Sequence, residues 1–423
     1  MQRAFGAVLL LVLGSQSYAT ARTLHFVFRG NATPLSAPIT RDMSFGLNPK
    51  QMEQIRGLTD GQVDFSNYHY VEAPRGQMKI LQQDASYVGF TDPDVPPPVV
   101  DSDGDPEFLE QFWVENLHIR QAWTMASGKG VNIADCDAGV HYLERDLNAN
   151  VLVDLRHDFA DPDEPNNVDD GKFPYHGTAV AAIMLGVLDG YGTNGIAPDA
   201  KLIPFQNFNY DHSKDKIDKE EATAACVLKA IATPEVKMIV LENQTATGSS
   251  ETFKATRDAV RLAIRAGIPV VSAAGNAHVE LTAEAVDDTG SIIVGALLTT
   301  DAPAGFSNHG PRVTVGAYGE SLHTLYGPDG KFGSFGGTSG ATPQVAGTVA
   351  LMQEVNPMLT PEQIRVILQG SRSFSNGNEM VGGRLDAAVA VTAALKAKTD
   401  MKAWTDAWLF RERLDAILVP LRK

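Results

Sequence analysis

The feature that most constrains this fold is a series of short, mostly apolar runs. Each closes in a turn, and most are followed by a stretch of helical character. Residues 131–135, 201–205, 237–241, 270–273 and 291–294 read as strands buried on both faces. Helices are expected to begin near His176, Lys219, Ser250 and Ser339. Strands separated by helices are joined by crossovers, so they lie parallel, with helices covering both faces of the sheet. The fold class is therefore α/β, and sheets of this kind bind ligands at the carboxyl ends of their strands.

The chemistry-bearing residues lie at those ends. An apolar strand over Val131-Asn132-Ile133-Ala134 runs into Asp135-Cys136-Asp137-Ala138-Gly139. His176 opens an Ala-rich helix in Tyr175-His176-Gly177-Thr178-Ala179. Asn276 closes the strand that ends Ser272-Ala273-Ala274-Gly275, and Ser339 stands in Gly337-Thr338-Ser339-Gly340-Ala341-Thr342-Pro343 before an apolar helical run. A serine at a helix N-terminus sits beside free backbone N–H groups and the positive dipole end, which together favour an oxyanion. Pro343 is expected near the first turn, where a missing N–H costs little.

Each residue alone has an ordinary structural reading. A histidine at a helix start caps it, and a strand-end aspartate forms a turn. Jointly they supply a reaction. A serine hydroxyl is a poor nucleophile until a base takes its proton. His176 can accept that proton at one ring nitrogen while Asp137 holds the other N–H and stabilises the imidazolium. The Asn276 amide and the Ser339 N–H would stabilise the oxyanion. The chain order is acid, histidine, amide, serine, and order separates the convergent designs of this triad.

In these segments the sequence resembles the subtilisin-like serine peptidases, whose usual patterns are Asp-Thr-Gly, His-Gly-Thr-His, Gly-Asn after a strand, and Gly-Thr-Ser-Met-Ala-Thr-Pro. The likeness runs from about Gly128 to Ala394. Residues 108–123 and the acidic loop before His176 resemble the kexin-like branch. The resemblance implies a doubly wound, mainly parallel sheet and an Asp137–His176–Ser339 triad with Asn276 in the oxyanion hole. Asp137 is preferred to Asp135 because Gly139 completes the family's Asp-x-Gly spacing. Ala138, Ala179, Gly340 and Gln344 depart from the family's patterns without removing a catalytic group. The segment Glu242-Asn243-Gln244-Thr245-Ala246-Thr247-Gly248 departs more, where the family shows Asn-Met-Ser-Leu-Gly-Gly and pairs with extended substrate.

The 423 residues allow more than one domain. Residues 1–21 read as a secretory signal peptide, with Arg3, an apolar run too short to span a bilayer, and Ala19-Thr20-Ala21 at the cut. Residues 22–95 hold expected strands at 24–28, 68–71 and 86–90 and helices at 49–58 and 77–83. They resemble the family's ferredoxin-like α+β pro-domain, which implies a zymogen inhibited by its own first module. A Pro-rich, acidic linker over 96–107 leads to a catalytic domain at 108–394. In a tail at 395–423, Trp404, Trp408 and Leu409 suggest a helix packed on that domain.

The net charge of −16 argues against nucleic-acid and anionic-membrane partners. The expected partners are protein or peptide substrates of a secreted monomer. The acidic runs 101–105 and Asp158-Phe159-Ala160-Asp161-Pro162-Asp163-Glu164 make structural Ca²⁺ an expectation, with Asp158, Asp161 and Asp163 as ligands. Cys136 and Cys226 both fall in apolar, buried surroundings and are expected to be free thiols. The commitment is a serine endopeptidase. A catalytically silent peptide binder and an acyl transferase on the same scaffold are the other readings.

Overall fold

The computed structural model describes residues 105–399, apart from 162, 170–174, 210–218, 246–247, 283–286 and 328–329, together with four strands nearer the N-terminus. The chain divides into two compact units, Met1–Val99 and Val100–Lys423. In the first, β1 (Thr23–Arg29), β2 (Thr40–Asp42), β3 (Tyr68–Pro74) and β4 (Tyr87–Thr91) form an antiparallel sheet in the order β2-β3-β1-β4. The central strand β1 sets Phe26 opposite Val71 on one side and Phe90 on the other. Three of these strands coincide with the expected ones, and β2 is an addition. The signal peptide, the expected helices at 49–58 and 77–83, the proline linker and the Trp404 stripe lie outside the described residues.

The second unit begins with two short helices, α1 (Phe112–Asn116) and α2 (Ile119–Trp123), which bury Trp113 and Trp123. Its sheet contains β5 (Asn132–Asp137), β6 (His157–Asp158), β7 (Lys201–Gln206), β8 (Met238–Leu241), β9 (Val270–Ala273), β10 (Ile292–Leu297) and β11 (Val315–Tyr318). All pairings are parallel, in the order β11-β10-β9-β8-β5-β7-β6. A two-stranded antiparallel ribbon, β12 (Leu322–Leu325) and β13 (Phe332–Phe335), follows.

Helices cover both faces, which is why the strands are apolar throughout. Ile133, Met238, Val240 and Val271 pack towards α3 (His176–Leu185) and α6 (Thr338–Val355). Ala134, Cys136, Ile239 and Leu241 alternate onto the other face, against α4 (Lys219–Ile231) and α5 (Lys254–Arg265). Two further helices, α7 (Pro361–Gly370) and α8 (Ala387–Thr399), complete the unit. The capping box at the start of α7 forms as its sequence requires. Thr360 Oγ1 accepts from Gln363 N at 3.2 Å, and Gln363 Oε1 accepts from Thr360 N at 2.9 Å.

Three expectations change. The helix expected from Ser250 opens instead as one 3₁₀ turn, Ser250–Thr252, and α5 starts only at Lys254. Tertiary demand overrides local propensity there: Glu251 turns inward to a buried cluster with Arg312, Thr289 and Ser291. Strand β5 runs two residues past Asp135, because the ladder to β7 continues to the Asp137–Gln206 pair. Cys136 and Cys226 are not free thiols but a disulfide with Cα atoms 6.3 Å apart. Both do lie in an apolar core, but it is the same core, where β5 meets α4. Sequence position alone does not show that the two side chains face each other.

Candidate active site

Strand β5 delivers Asp137 and helix α3 delivers His176 to one point. His176 Nδ1 lies 2.7 Å from Asp137 Oδ1, with both residues buried. The same carboxyl oxygen accepts from the Ala138 N–H at 2.5 Å. That backbone bond needs no hydroxyl at 138, so alanine in place of the family's threonine leaves the acid held. Gly177 makes the approach feasible, since a Cβ there would fall 1.9 Å from the Gly139 carbonyl oxygen. Tyr175, just before the histidine, sits in the left-handed region at φ 55°. Phe208 and Phe335 place ring edges against His176, with centroids 6.3 and 5.3 Å away.

Ser339 occupies the first turn of α6 and is 6% exposed. Gly337 precedes the helix at φ 81°, and a Cβ there would stand 3.2 Å from Asn276 Nδ2. Asn276 lies exposed at the end of β9. Its Oδ1 accepts from Thr338 N at 2.8 Å and from Thr338 Oγ1 at 3.0 Å. With the oxygen end engaged, Nδ2 is the end left to meet an oxyanion. Thr338 Oγ1 also accepts from Gly275 N at 3.1 Å, so one threonine ties the serine turn to the asparagine turn. Gln244 Oε1 accepts the Asn276 N–H, and Asn308 Oδ1 accepts from Ala277 N at 3.1 Å. Sequence reasoning missed Thr338, Gln244 and Asn308. The Gly-Thr-Ser pattern contains Thr338 but gives no sign of what it bonds.

Pro343 corrects one expectation. It stands in the second turn of α6, not the first, so the carbonyl of Ser339 has no helical N–H donor. Side chains serve the neighbouring carbonyls: Thr342 Oγ1 donates to Thr338 O and Gln344 Nε2 donates to Gly340 O, at 2.8 and 2.7 Å. Gly340, where the family carries methionine, has no room for a side chain, because a Cβ would lie 2.5 Å from Leu322 Cδ1.

The segment expected to pair with substrate begins with Glu242, which is buried. Burial drives its carboxyl well above the ordinary carboxylate range, with the negative Asp137 and Asp135 adding to the shift. Beyond it the chain makes a tight loop: Gln244 bridges Ser249, and Thr245 N donates to Gly248 O at 3.1 Å.

The anticipated metal ligands serve their own turn. Asp158 Oδ1 accepts from Ala160 N at 2.7 Å and Asp161 N at 3.1 Å, and Asp161 Oδ1 accepts from Asp163 N at 2.9 Å. Among the described residues no three histidine, cysteine or acidic side chains form a metal-holding group. A different set of acids is brought together. Burial raises Asp146 to about 8, helped by the negative Asp105 and Asp189. Burial likewise raises Asp105 to about 6, with Asp189 adding to it. Asp146 Oδ2 accepts from Thr193 N and Oγ1 at 3.2 and 2.9 Å, while Oδ1 meets no donor. Gly192, at φ 81°, leaves space that a Cβ would fill 2.5 Å from that carboxylate.

The structure thus holds an Asp137–His176 pair and, at the start of α6, a Ser339 turn tied to Asn276 through Thr338. Residues 128–389 match the Subtilase family. This chain is a subtilase. An extracellular protease of Xanthomonas campestris is 28% identical over 66% of this subtilase and 54% of its own length. Fervidolysin of Fervidobacterium pennivorans is 30% identical over 64% of this chain and 42% of its own. This subtilase therefore spans about half the length of those two relatives. A solved protease structure from Pseudoalteromonas arctica covers 69% of the subtilase at a TM-score of 0.59 and 25% identity, with 99% of that chain covered.

Proposed function

We propose that this subtilase is a serine endopeptidase. The observation that carries the reading is the buried Asp137–His176 hydrogen bond on the sheet face covered by α6, where Ser339 opens the helix. With Nδ1 engaged by Asp137, Nε2 is the nitrogen that takes the Ser339 proton as Oγ attacks the scissile carbonyl carbon. The carbonyl π electrons move to oxygen, and Asn276 Nδ2 and the Ser339 N–H stabilise that oxyanion. Collapse expels the amine, which leaves with the proton from Nε2, and the acyl group stays on Oγ. Water then repeats the sequence, releasing the acid and regenerating Ser339.

The reading extends to a secreted zymogen whose residues 22–95 inhibit the enzyme until a cut near the proline linker. Among the described residues no helix is long and apolar enough to cross a membrane. Structural Ca²⁺ belongs to the reading at the loop of Asp158, Asp161 and Asp163, whose carboxyl oxygens also accept from the loop's own N–H groups. Its contribution there is stability, with no part in the bond-breaking steps. A silent peptide-binding role draws on one observation, the unusual segment that begins at Glu242, where Gln244 bridges Ser249.

Intact mass separates these readings. The chain from Arg22 onward, held for hours at neutral pH, splits between about Asp94 and Phe108 in the wild type and stays whole as Ser339→Ala. A wild type that stays whole and also resists a serine-reactive phosphonate contradicts the peptidase reading.

A further inference from the structure

Glu242 has no part in the reaction just described, yet it adjoins Asp137 and Ser339. The register of the sheet places it there. Leu241 pairs with Cys136, and Glu242 N donates to Cys136 O at 3.4 Å, which sets Glu242 beside Asp137 on the neighbouring strand. Met238 and Val240 face α3 and α6, so by alternation Glu242 faces them too, at the same level as Ser339. Its carboxyl lies against the Ser339 hydroxyl, though neither oxygen meets a donor at good hydrogen-bonding geometry. The residue is 3% exposed.

Among the described residues no cation contributes to holding this acid ionised. The charged or titratable groups facing it are Asp135 and Asp137 on β5, both buried, and His176 beyond Asp137 on α3. Strand β9 offers only Val270–Ala273, and α6 carries no acidic or basic residue in its first turn. Asn243, the next residue, turns to the other face, where Nδ2 donates to Thr223 Oγ1 at 2.7 Å. Burial disfavours the charged form of Glu242, and the neighbouring Asp137 and Asp135 add to that.

We propose that Glu242 is a positioning residue for the nucleophile, acting in its protonated form beneath Ser339. A neutral Glu242 leaves the Ser339 proton directed to His176. An ionised Glu242 draws that proton to its own oxygen and, as a further negative charge near His176, holds the imidazole as imidazolium. Both effects take the base away from the serine. Burial opposes that ionisation, and so do Asp135 and Asp137. The proposal rests on the peptidase reading, because it assigns Glu242 a role in activating Ser339.

The test is the rate at which a fluorophosphonate labels the full chain between about pH 5 and 10, wild type beside Glu242→Gln. Wild-type labelling is expected to fall towards alkaline pH, approaching about tenfold per pH unit as Glu242 ionises. Glu242→Gln keeps the neutral form and is expected to hold a plateau there. If the amide variant melts below assay temperature, Glu242→Met, of similar volume, takes its place with the same expected plateau. Superimposable profiles overturn the proposal, and so does a folded variant that fails to label at every pH. A wild type that never labels is a separate outcome: it removes the nucleophile, and the role of Glu242 goes with it.

Discussion

Asn276, the proposed oxyanion donor, is positioned by its neighbours. Thr338 holds its oxygen with two donors, Gln244 holds its backbone N–H, and the amide end is left for chemistry. Replacing it with leucine should lower kcat by about 10²–10³-fold with KM little changed, since an oxyanion donor acts mainly in the transition state. A steady-state comparison on one peptide checks this, and an effect confined to KM would contradict it. The residues of the site were legible because their types are few and their order is fixed. What the sequence could not show is what holds them. Thr338 looks like an ordinary turn residue, and Glu242 looks like the polar end of a strand. Only the register between β5 and β8 brings Glu242 level with Asp137.

At the scale of elements, close approach decides most of the geometry. The start of α3 sits so near the turn after β5 that a Cβ on Gly177 would overlap the Gly139 carbonyl. Gly177→Ala should push α3 away from Asp137, destabilising the fold by more than about 2 kcal/mol and slowing phosphonate labelling. Melting and labelling curves at wild-type levels would contradict that account. The disulfide from β5 to α4 closes a 90-residue separation, so replacing both cysteines by alanine should cost about 3–5 kcal/mol in urea unfolding. An unchanged midpoint, with and without reductant, would contradict it. Alternating apolar strands and helices made the parallel sheet readable in advance. The pairing of two buried thiols and the late start of α5 were not, since both are set by what packs opposite.

Across the whole molecule, acid balance sets the response to pH. Burial favours the protonated form of Asp146 up to about 8 and of Asp105 up to about 6, against an ordinary 3.8. A raised carboxyl stabilises the fold below its unfolded value and loses that contribution as pH rises through its folded value. Tm should therefore fall from about pH 4 to about pH 8. A Tm that stays level or rises across that range would contradict the burial of Asp105 and Asp146 as protonated acids. The account as a whole turns on one atom, the Ser339 oxygen, and on the base that activates it. Its most direct test is peptide mapping of the phosphonate adduct in wild type, His176→Ala and Ser339→Ala at neutral pH. The account predicts a single adduct on Ser339 in wild type, labelling slower by at least about 10³-fold without His176, and none without Ser339. An adduct elsewhere, or equal labelling of wild type and His176→Ala, would contradict it.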